Sequence, residues 1–415
     1  MKKYISVLGI LIICISNVSV GHAATPSLLI AFEKEGFLWI EMNGKQEKIT
    51  TERAEFSYPP QWSYDGQWLL YQKLSTETPN PNMEKQNELW VYNLKKKQHK
   101  KIFYNGENPK WSPTQNIVAF TQRGVLNISD LENFHNIALG VDDYSWFPDG
   151  KSFIASSSAT LRPDGWTNPV LYKIAVPEKL TNTNLMSGQR IFVIPKELTK
   201  DNVKVMSINV GSFEFSPDQK WISFIVSPTA SLSMDSNMLC VLSSDGKQFD
   251  VIDEVILQLD NPQWAQTKNL LGYIAGGGRI VFGFKNKDLK ITELPVFITK
   301  GFTPPNFAEM EFTWVGDDEV VVSRVKEADW SNDPRKRPKA SLYTINIKSG
   351  KQSRITQPNP NYEDVQPQYV TATNQITWMR KKNTAIKGDL WIANPDGKKS
   401  KRWLNQIGHY AIFPH

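Results

Sequence analysis

The stretch PQWSYDGQWLLY, from Pro60 to Tyr71, sets an aromatic residue, a short turn phrase and an apolar run side by side, and the same phrase returns along the chain. Clear copies are PKWSPTQNIVAF (Pro109 to Phe120), YSWFPDGKSFIA (Tyr144 to Ala155) and FEFSPDQKWISF (Phe213 to Phe224). Weaker copies are PQWAQTKNLLGY (Pro262 to Tyr273), FTWVGDDEVVVS (Phe312 to Ser323) and PQYVTATNQITW (Pro367 to Trp378). Short apolar runs bounded by Asp-Gly or Pro-Asp read as strands entered through tight turns. Several copies continue into a second phrase, as in NELWVYNLKKKQHKKI (Asn87 to Ile102), SLYTINIKSGKQSRIT (Ser341 to Thr356) and GDLWIANPDGKKSKRW (Gly388 to Trp403). Each unit therefore spells four strands, and tandem four-stranded units point to an all-β fold, a β-propeller.

The ends of the chain complete the count. LLIAF (Leu28 to Phe32), FLWIEMNG (Phe37 to Gly44) and KQEKIT (Lys45 to Thr50) read as the last three strands of a unit that lacks its first, and HYAIFPH (His409 to His415) supplies a first strand that lacks the rest. N- and C-terminal strands sharing one blade would leave no exposed sheet edge. Seven complete units and one split unit predict eight blades. The aligned anchors from Trp62 to Ile412 span 350 residues in seven steps, or 50 per step. Individual steps scatter, 69 residues from Trp146 to Phe215 and 35 from Trp111 to Trp146, so seven blades is the alternative.

Lys2 and Lys3, an apolar run from Ile5 to Val18, and small residues at Gly21, Ala23 and Ala24 form the pattern of a secretory signal peptide over residues 1–24. The run is shorter than the roughly 20 residues that span a bilayer. Ile13 stands where a small residue would precede a lipidated Cys14, so lipidation is not expected. Residues 25–415 then form a single propeller domain, secreted or extracytoplasmic, on the periplasmic or cell-wall side, with no transmembrane segment after cleavage. Cys240 is the cysteine left, so no internal disulfide can form and stability must come from burial, for which 14 Trp, 20 Phe and 13 Tyr supply ample apolar area. The formal charge of +6 includes Lys2 and Lys3, and the remaining surplus of +4 is mild. It is compatible with anionic wall polymers or lipid surfaces. Export argues against nucleic acid as a partner, and a monomer is expected.

The phrase W-S-P-D-G-x-x-[IL]-x-[FY] resembles the WD40-like (PD40) repeat of the TolB family, whose propellers are similar to those of prolyl peptidases. The resemblance covers nearly the whole chain after residue 24 and implies the fold far more than a function. TolB itself resembles a six-bladed propeller behind a mixed α/β domain. Here strand-like repeats are expected directly after the signal peptide, and a counterpart of the TolB segment that engages envelope partners is not.

Asp65, Asp149 and Asp218 resemble the carboxylates of glycosidase Asp-boxes, but they stand at turn positions whose backbone demands explain them. Trp62, Trp111, Trp146, Trp264 and Trp314 are expected to pack between blades. A nucleophile elbow of the G-x-S-x-G kind is not evident, nor is the hydrolase domain that follows the propeller in prolyl peptidases. His99, His135, His409 and His415 fall in different units without metal-ligand spacing, so no metal, cofactor or catalytic group is assigned. Gly276 to Gly278 reads as a flexible hairpin.

The long insertions, Lys73 to Gln86, Ser156 to Pro169, Ser227 to Ser236 and Lys326 to Lys339, all fall between second and third strands, which places them on one face of a propeller. Two carry unusual composition. RPDGWTN holds Arg162 and Trp166, and ADWSNDPRKRPK holds Trp330, Arg335, Lys336 and Arg337. Arg and Trp are enriched at binding hot spots, and guanidinium groups suit carboxylates and phosphates. The sequence thus predicts a non-catalytic scaffold that binds a protein, peptide or envelope glycan through this face. The alternatives are a polysaccharide lyase or glycoside hydrolase of the WD40-like propeller class, some of which use His with a metal, and a lectin-like sugar binder.

Overall fold

The computed structural model describes residues 28–75, 85–177, 179–180, 185, 188–229, 236–256, 259, 262–277, 283–383 and 385–414. The expected signal peptide, with Cys14, lies outside the described residues, as do Gly278, His415 and the loop segments 76–84 and 230–235. Strands dominate, and the helical turns among the described residues are two short 3-10 segments, Pro334–Lys336 and Thr371–Thr373. No helix among the described residues is long and apolar enough to cross a membrane.

Every repeat becomes a four-stranded antiparallel sheet with its strands in chain order, the architecture of a β-propeller. The Trp62 unit is typical, running Gln61–Trp62, Trp68–Leu74, Asn87–Asn93 and Gln98–Phe103. Its second strand buries Leu69, Leu70 and Tyr71, so both strand faces are covered, whereas its outermost strand exposes Gln98 and Lys101 and leaves Lys100 half-buried. This gradient explains the sequence pattern, because a strand packed on both faces reads as a continuous apolar run. The Phe215 and Trp264 units join at one bridge, Val255 to Ala275, into a larger sheet. The chain ends meet in one sheet. Tyr410–Ile412 pairs antiparallel with Leu29–Lys34, matching Phe32 to Tyr410 and Ile30 to Ile412. The 69-residue step holds a further hairpin, Glu197–Lys200 with Val203–Met206, whose Leu198 and Val205 are buried with Phe213 and Phe224.

The turn phrase has a repeated hydrogen-bond logic. Ser63 Oγ donates to Asp65 Oδ1 at 2.7 Å, Gln67 N–H donates to the same oxygen, and Trp68 N–H donates to Ser63 Oγ. Gly66 takes φ +66°, and a Cβ there would meet the Phe413 ring at 2.9 Å. Ser216, Asp218 and Trp221 repeat these bonds. Asn116 of the next unit donates to Asp65 Oδ2 at 2.9 Å. Burial pushes the Asp65 carboxyl up, but the bonds from Ser63, Asn116 and Gln67 outweigh it and hold the group below its ordinary range. The aspartates are turn and inter-unit acceptors.

The tryptophan anchors bind one unit to the next. Trp62 Nε1 donates to Ala411 O (3.0 Å), Trp111 to Gln61 O (3.1 Å), Trp146 to Lys110 O (3.2 Å), Trp264 to Glu214 O (3.3 Å) and Trp314 to Gln263 O (3.0 Å). Each acceptor precedes the anchor of the preceding unit. The residue before the anchor reaches the other way, Gln61 Nε2 to Pro109 O and Gln263 Nε2 to Phe312 O, both at 3.0 Å. Where Phe215 replaces tryptophan no indole donor exists, and ring contact with Phe147 at 4.8 Å joins the units instead.

Trp314→Phe keeps an aromatic ring at a buried site but leaves Gln263 O without its donor. The expected cost is about 1–3 kcal/mol, read as a lower urea midpoint at unchanged slope; an unaltered midpoint would show the bond to be dispensable.

Candidate functional site at the mouth of the first strands

Strict alternation would turn residues two apart on a strand to the same side, and the first strands break that rule near their beginnings. In Phe307–Val315, Glu309 pairs with Arg324 but Glu311 pairs with the adjacent Ser323, so one extra residue is inserted and the two glutamates face opposite sides. Glu309 turns inward, where Arg324 Nε donates to its Oε1 at 2.8 Å and Arg324 Nη1 reaches Gln352 Oε1 at 2.7 Å. Glu311 turns to the open side. The Tyr362–Val370 strand repeats the device between Val365 and Gln368, with Asp364 held by two bonds from Arg380 at 2.7 and 2.8 Å. Bulges stand at the same place in the Trp111 and Phe215 units.

The bulge places Asn108, Ser212 and Gln366 at positive φ, a region disfavoured for residues with side chains. A carboxylate of a neighbouring unit meets each one. Asp143 accepts from Asn108 Nδ2 at 2.6 Å and from Ser212 N–H at 2.8 Å, and Glu311 Oε2 accepts from Gln366 N–H. Glu311 therefore has a structural duty. It also lines a cavity of about 730 Å³ at the mouth of these strands, with Gln263, Gln366, Gln368, Lys381, Asn383 and His409 as polar wall and Pro59, Met379 and Ile386 as apolar wall. Ile386 is 82% exposed beside it.

Burial pushes the Glu311 carboxyl above the ordinary glutamate range, against the Gln366 N–H bond and the Lys381 charge, which pull it down. Glu363 is also raised by burial, opposed by Lys381, Lys339 and Arg337. His409 is lowered by burial against the pull of Glu33. A desolvated carboxyl, an imidazole and a lysine around one cavity can bind polar groups and can exchange protons. No cluster of three or more His, Cys, Asp or Glu suited to a metal occurs among the described residues.

The long loop Lys326 to Lys339 supplies none of the residues that line this cavity but is bonded to one of them, Asn383. Asn383 Nδ2 donates to Pro334 O at 2.5 Å, and Phe284 N–H donates to Ala328 O at 2.8 Å, so the loops of three successive units are tied together. A smaller cavity of about 160 Å³ beneath them is lined by Phe284, Pro338 and Glu363 and shares Glu311 and Asn383 with the larger one. Trp330 stacks on Phe284 at 5.9 Å and lies under the Arg337 guanidinium at 4.2 Å. Arg337 Nε donates to Ser331 O at 2.8 Å. Arg335 is exposed and bonded through Nε and Nη2 to Asp333, both at 3.0 Å; Lys336 is exposed beside it. The hairpin Leu161–Arg162 with Gly165–Trp166 sits on another unit, with Arg162 exposed and Trp166 half-buried.

The structure thus gathers Trp330, Arg335, Lys336 and Arg337 in one loop and leaves Arg162 and Trp166 apart from them, and the larger cavity is lined by other residues. For Glu311, Gln366 and His409 among those the signal lay in the repeat. Asn108, Asp143, Ser212, Glu311, Gln366 and His409 each stand three places before an anchor, so aligning the copies puts a ring of polar residues at one depth. Gly276 takes φ +118°, with a Cβ there 1.9 Å from Asn286 O, so its backbone is closely packed.

No protein-family model matches the chain, and no curated protein does. Solved structures match at the level of fold. The dihydro-heme d1 dehydrogenase NirN superposes with TM-score 0.58 at 12% identity, covering 93% of this chain and 75% of that one. A eukaryotic initiation factor gives 0.58 at 11% identity, covering 92% and 87%. A Mycobacterium tuberculosis puromycin-hydrolyzing peptidase gives 0.52 at 10% identity, covering 85% of this chain, which spans 53% of the peptidase. At these identities the likeness concerns the fold alone, and it agrees with a β-propeller.

Because the Glu311 pKa is raised on folding, its favourable contribution holds below the unfolded-state value and is lost as pH rises through the folded value. Glu311→Gln retains an acceptor for Gln366 N–H and removes the titration. Its thermal midpoint should gain on the parent's between about pH 4 and about pH 7.5; an equal difference at both ends would contradict a desolvated carboxyl.

Proposed function

We propose that this chain is an exported, TolB-like, eight-bladed propeller, closed through the pairing of Leu29–Lys34 with Tyr410–Ile412, that acts as a binding scaffold for a protein, peptide or cell-envelope ligand. The observation that carries this reading is the cavity of about 730 Å³ on the long-loop face, whose wall mixes side-chain amides with apolar groups. Side-chain amides offer both donors and acceptors, as an extended peptide backbone requires, and Ile386 and Pro59 offer apolar contact beside them. Rigid sheets carrying tied loops suit recognition, since little order must be gained on binding. Arg335 and Lys336 would form an outer cationic rim, Trp330 and Arg337 its braced base, and Arg162 with Trp166 a second contact on the same face.

Glu311 favours a second reading. A desolvated carboxyl near His409 and Lys381 is the equipment of proton transfer, so the enzyme reading is a polysaccharide lyase or glycoside hydrolase working in the same cavity.

Two variants test these readings in a pull-down from envelope extract, each compared with the parent after a check of folding. The cavity variant carries Gln368→Ala, Asn383→Ala and Ile386→Asp, and the rim variant carries Trp166→Ala, Arg335→Ala and Lys336→Ala. Binding should fall at least about tenfold in the cavity variant, the effect of losing about 1.4 kcal/mol, and less in the rim variant. Equal capture by all three would remove the long-loop face as the binding surface. Cleavage of an acidic polysaccharide by the parent and not by Glu311→Gln would replace the scaffold reading with the enzymatic one.

A further inference from the structure

The turns joining first to second and third to fourth strands lie at the end of the sheets opposite the long loops, because each sheet is an antiparallel meander. At that end, between the split unit and the Trp62 unit, lies a cleft of about 250 Å³. Its floor is apolar, formed by Ile40, Met42, Ile49, Tyr92 and Leu94, and Lys45, Glu47 and Lys97 stand at its rim. Met42, a large apolar side chain at the end of the strand Phe37–Met42, is 51% exposed there.

The surroundings are cationic. Glu47 is tied to Lys97 at 2.5 Å, and Glu41 accepts from Trp403 Nε1 at 2.6 Å and from Gln46 Nε2 at 2.8 Å. On the neighbouring Tyr369 unit, Asp396 pairs with Lys398 and Asp389 with Arg402. The acids named here are therefore engaged, whereas Lys45, Lys95, Lys96, Lys399 and Lys401 are exposed and take part in none of the ion pairs among the described residues. The turn that presents Lys95 and Lys96 is fixed, since Asn93 accepts from Lys96 N–H at 2.7 Å through Oδ1 and from Lys97 N–H at 2.8 Å through its carbonyl. Its cations stand on an ordered turn between Leu94 and Lys97, two residues that line the cleft.

An apolar floor with the unpaired Lys45 at its rim and the unpaired Lys95 and Lys96 on the adjoining turn matches an anionic amphiphile. A soluble polyanion would use the lysines and have no need of Met42. We propose that this edge docks on an anionic phospholipid surface, with the lysines on the headgroups and Met42 at the apolar boundary. Docked in this way, the protein would direct the long-loop face away from the bilayer. The inference stands independently of what that face binds.

Co-sedimentation with vesicles tests it, using parent and variants in the same N-terminal form so that residues 1–24 contribute equally to all. The parent should sediment with phosphatidylglycerol/phosphatidylcholine vesicles and not with phosphatidylcholine alone. Lysines near an anionic surface add to its attraction one by one, so Lys45→Glu, Lys95→Glu and Lys96→Glu together should lower binding about a hundredfold, with an unchanged melting curve. Met42→Asp should weaken what binding persists at raised salt, where headgroup attraction is screened. Equal binding to uncharged vesicles, or undiminished binding by the triple variant, would overturn the proposal. So would full displacement by soluble polyphosphate with no effect of Met42→Asp, which would make the site one for free polyanions.

Discussion

An indole N–H donated to a main-chain carbonyl of the preceding unit is the bond on which this architecture turns. A buried carbonyl left without a donor is costly, and tryptophan supplies both that donor and a large apolar ring from one side chain. In the Trp62, Trp111, Trp146, Trp264 and Trp314 units the bond lands on the residue just before the previous anchor, which fixes the offset between first strands as well as their proximity. Trp62 bonds to Ala411, so the same contact joins chain segments about as far apart in sequence as the fold allows. Glutamines before the anchors return a bond in the other direction, and the turn aspartates accept from the next unit's turn. Successive sheets are thereby held at more than one depth.

The mouth of the first strands follows from a different constraint. Each strand must enter its sheet from a loop, and the inserted residue at the bulge reverses which side chains face inward. Glu309 and Asp364 are drawn inward onto Arg324 and Arg380, pairs in which a lone partner would leave a buried charge uncompensated. The next acidic or amide residue is turned to the open side, giving Glu311 and Gln366 to the cavity. The polar groups at the mouth are thus a by-product of how the strands begin, and Glu311 and Gln366 combine a structural bond with a place on the cavity wall. That double use explains why the Glu311 carboxyl is desolvated without being sealed off.

The aromatic loops show the same economy. Trp330, chosen from the sequence for its setting among basic residues, is stacked on Phe284 and covered by Arg337, so part of the loop's chemistry is spent on fixing the loop itself. Arg335 is similarly pinned to Asp333 while remaining open to solvent. The loop presents Arg335 and Lys336 at the surface from a braced base, with Arg162 and Trp166 carried separately on their own hairpin.

The all-β class, the four-strand units, the turn role of Asp65, Asp149 and Asp218 and the packing of the tryptophans were legible in the sequence because each rests on local chemistry: short apolar runs of strand length, turn residues that tolerate their backbone angles, and aromatics recurring at one place in each unit. The pairing of Leu28 to Phe32 with the C-terminal segment was legible for the same reason, as a repeat with its first strand missing. Tertiary structure alone decided which polar groups share a cavity. Glu311 and His409 belong to the units on either side of the one that carries Gln366, Lys381 and Asn383, so the five meet only when three units stand side by side, and a one-residue bulge sets which way Glu311 points. The apolar cleft between Met42 and Leu94 is likewise a property of two neighbouring sheets. Local sequence carries the period of a strand, but the register between strands and the contact between sheets depend on long-range packing that no single stretch encodes.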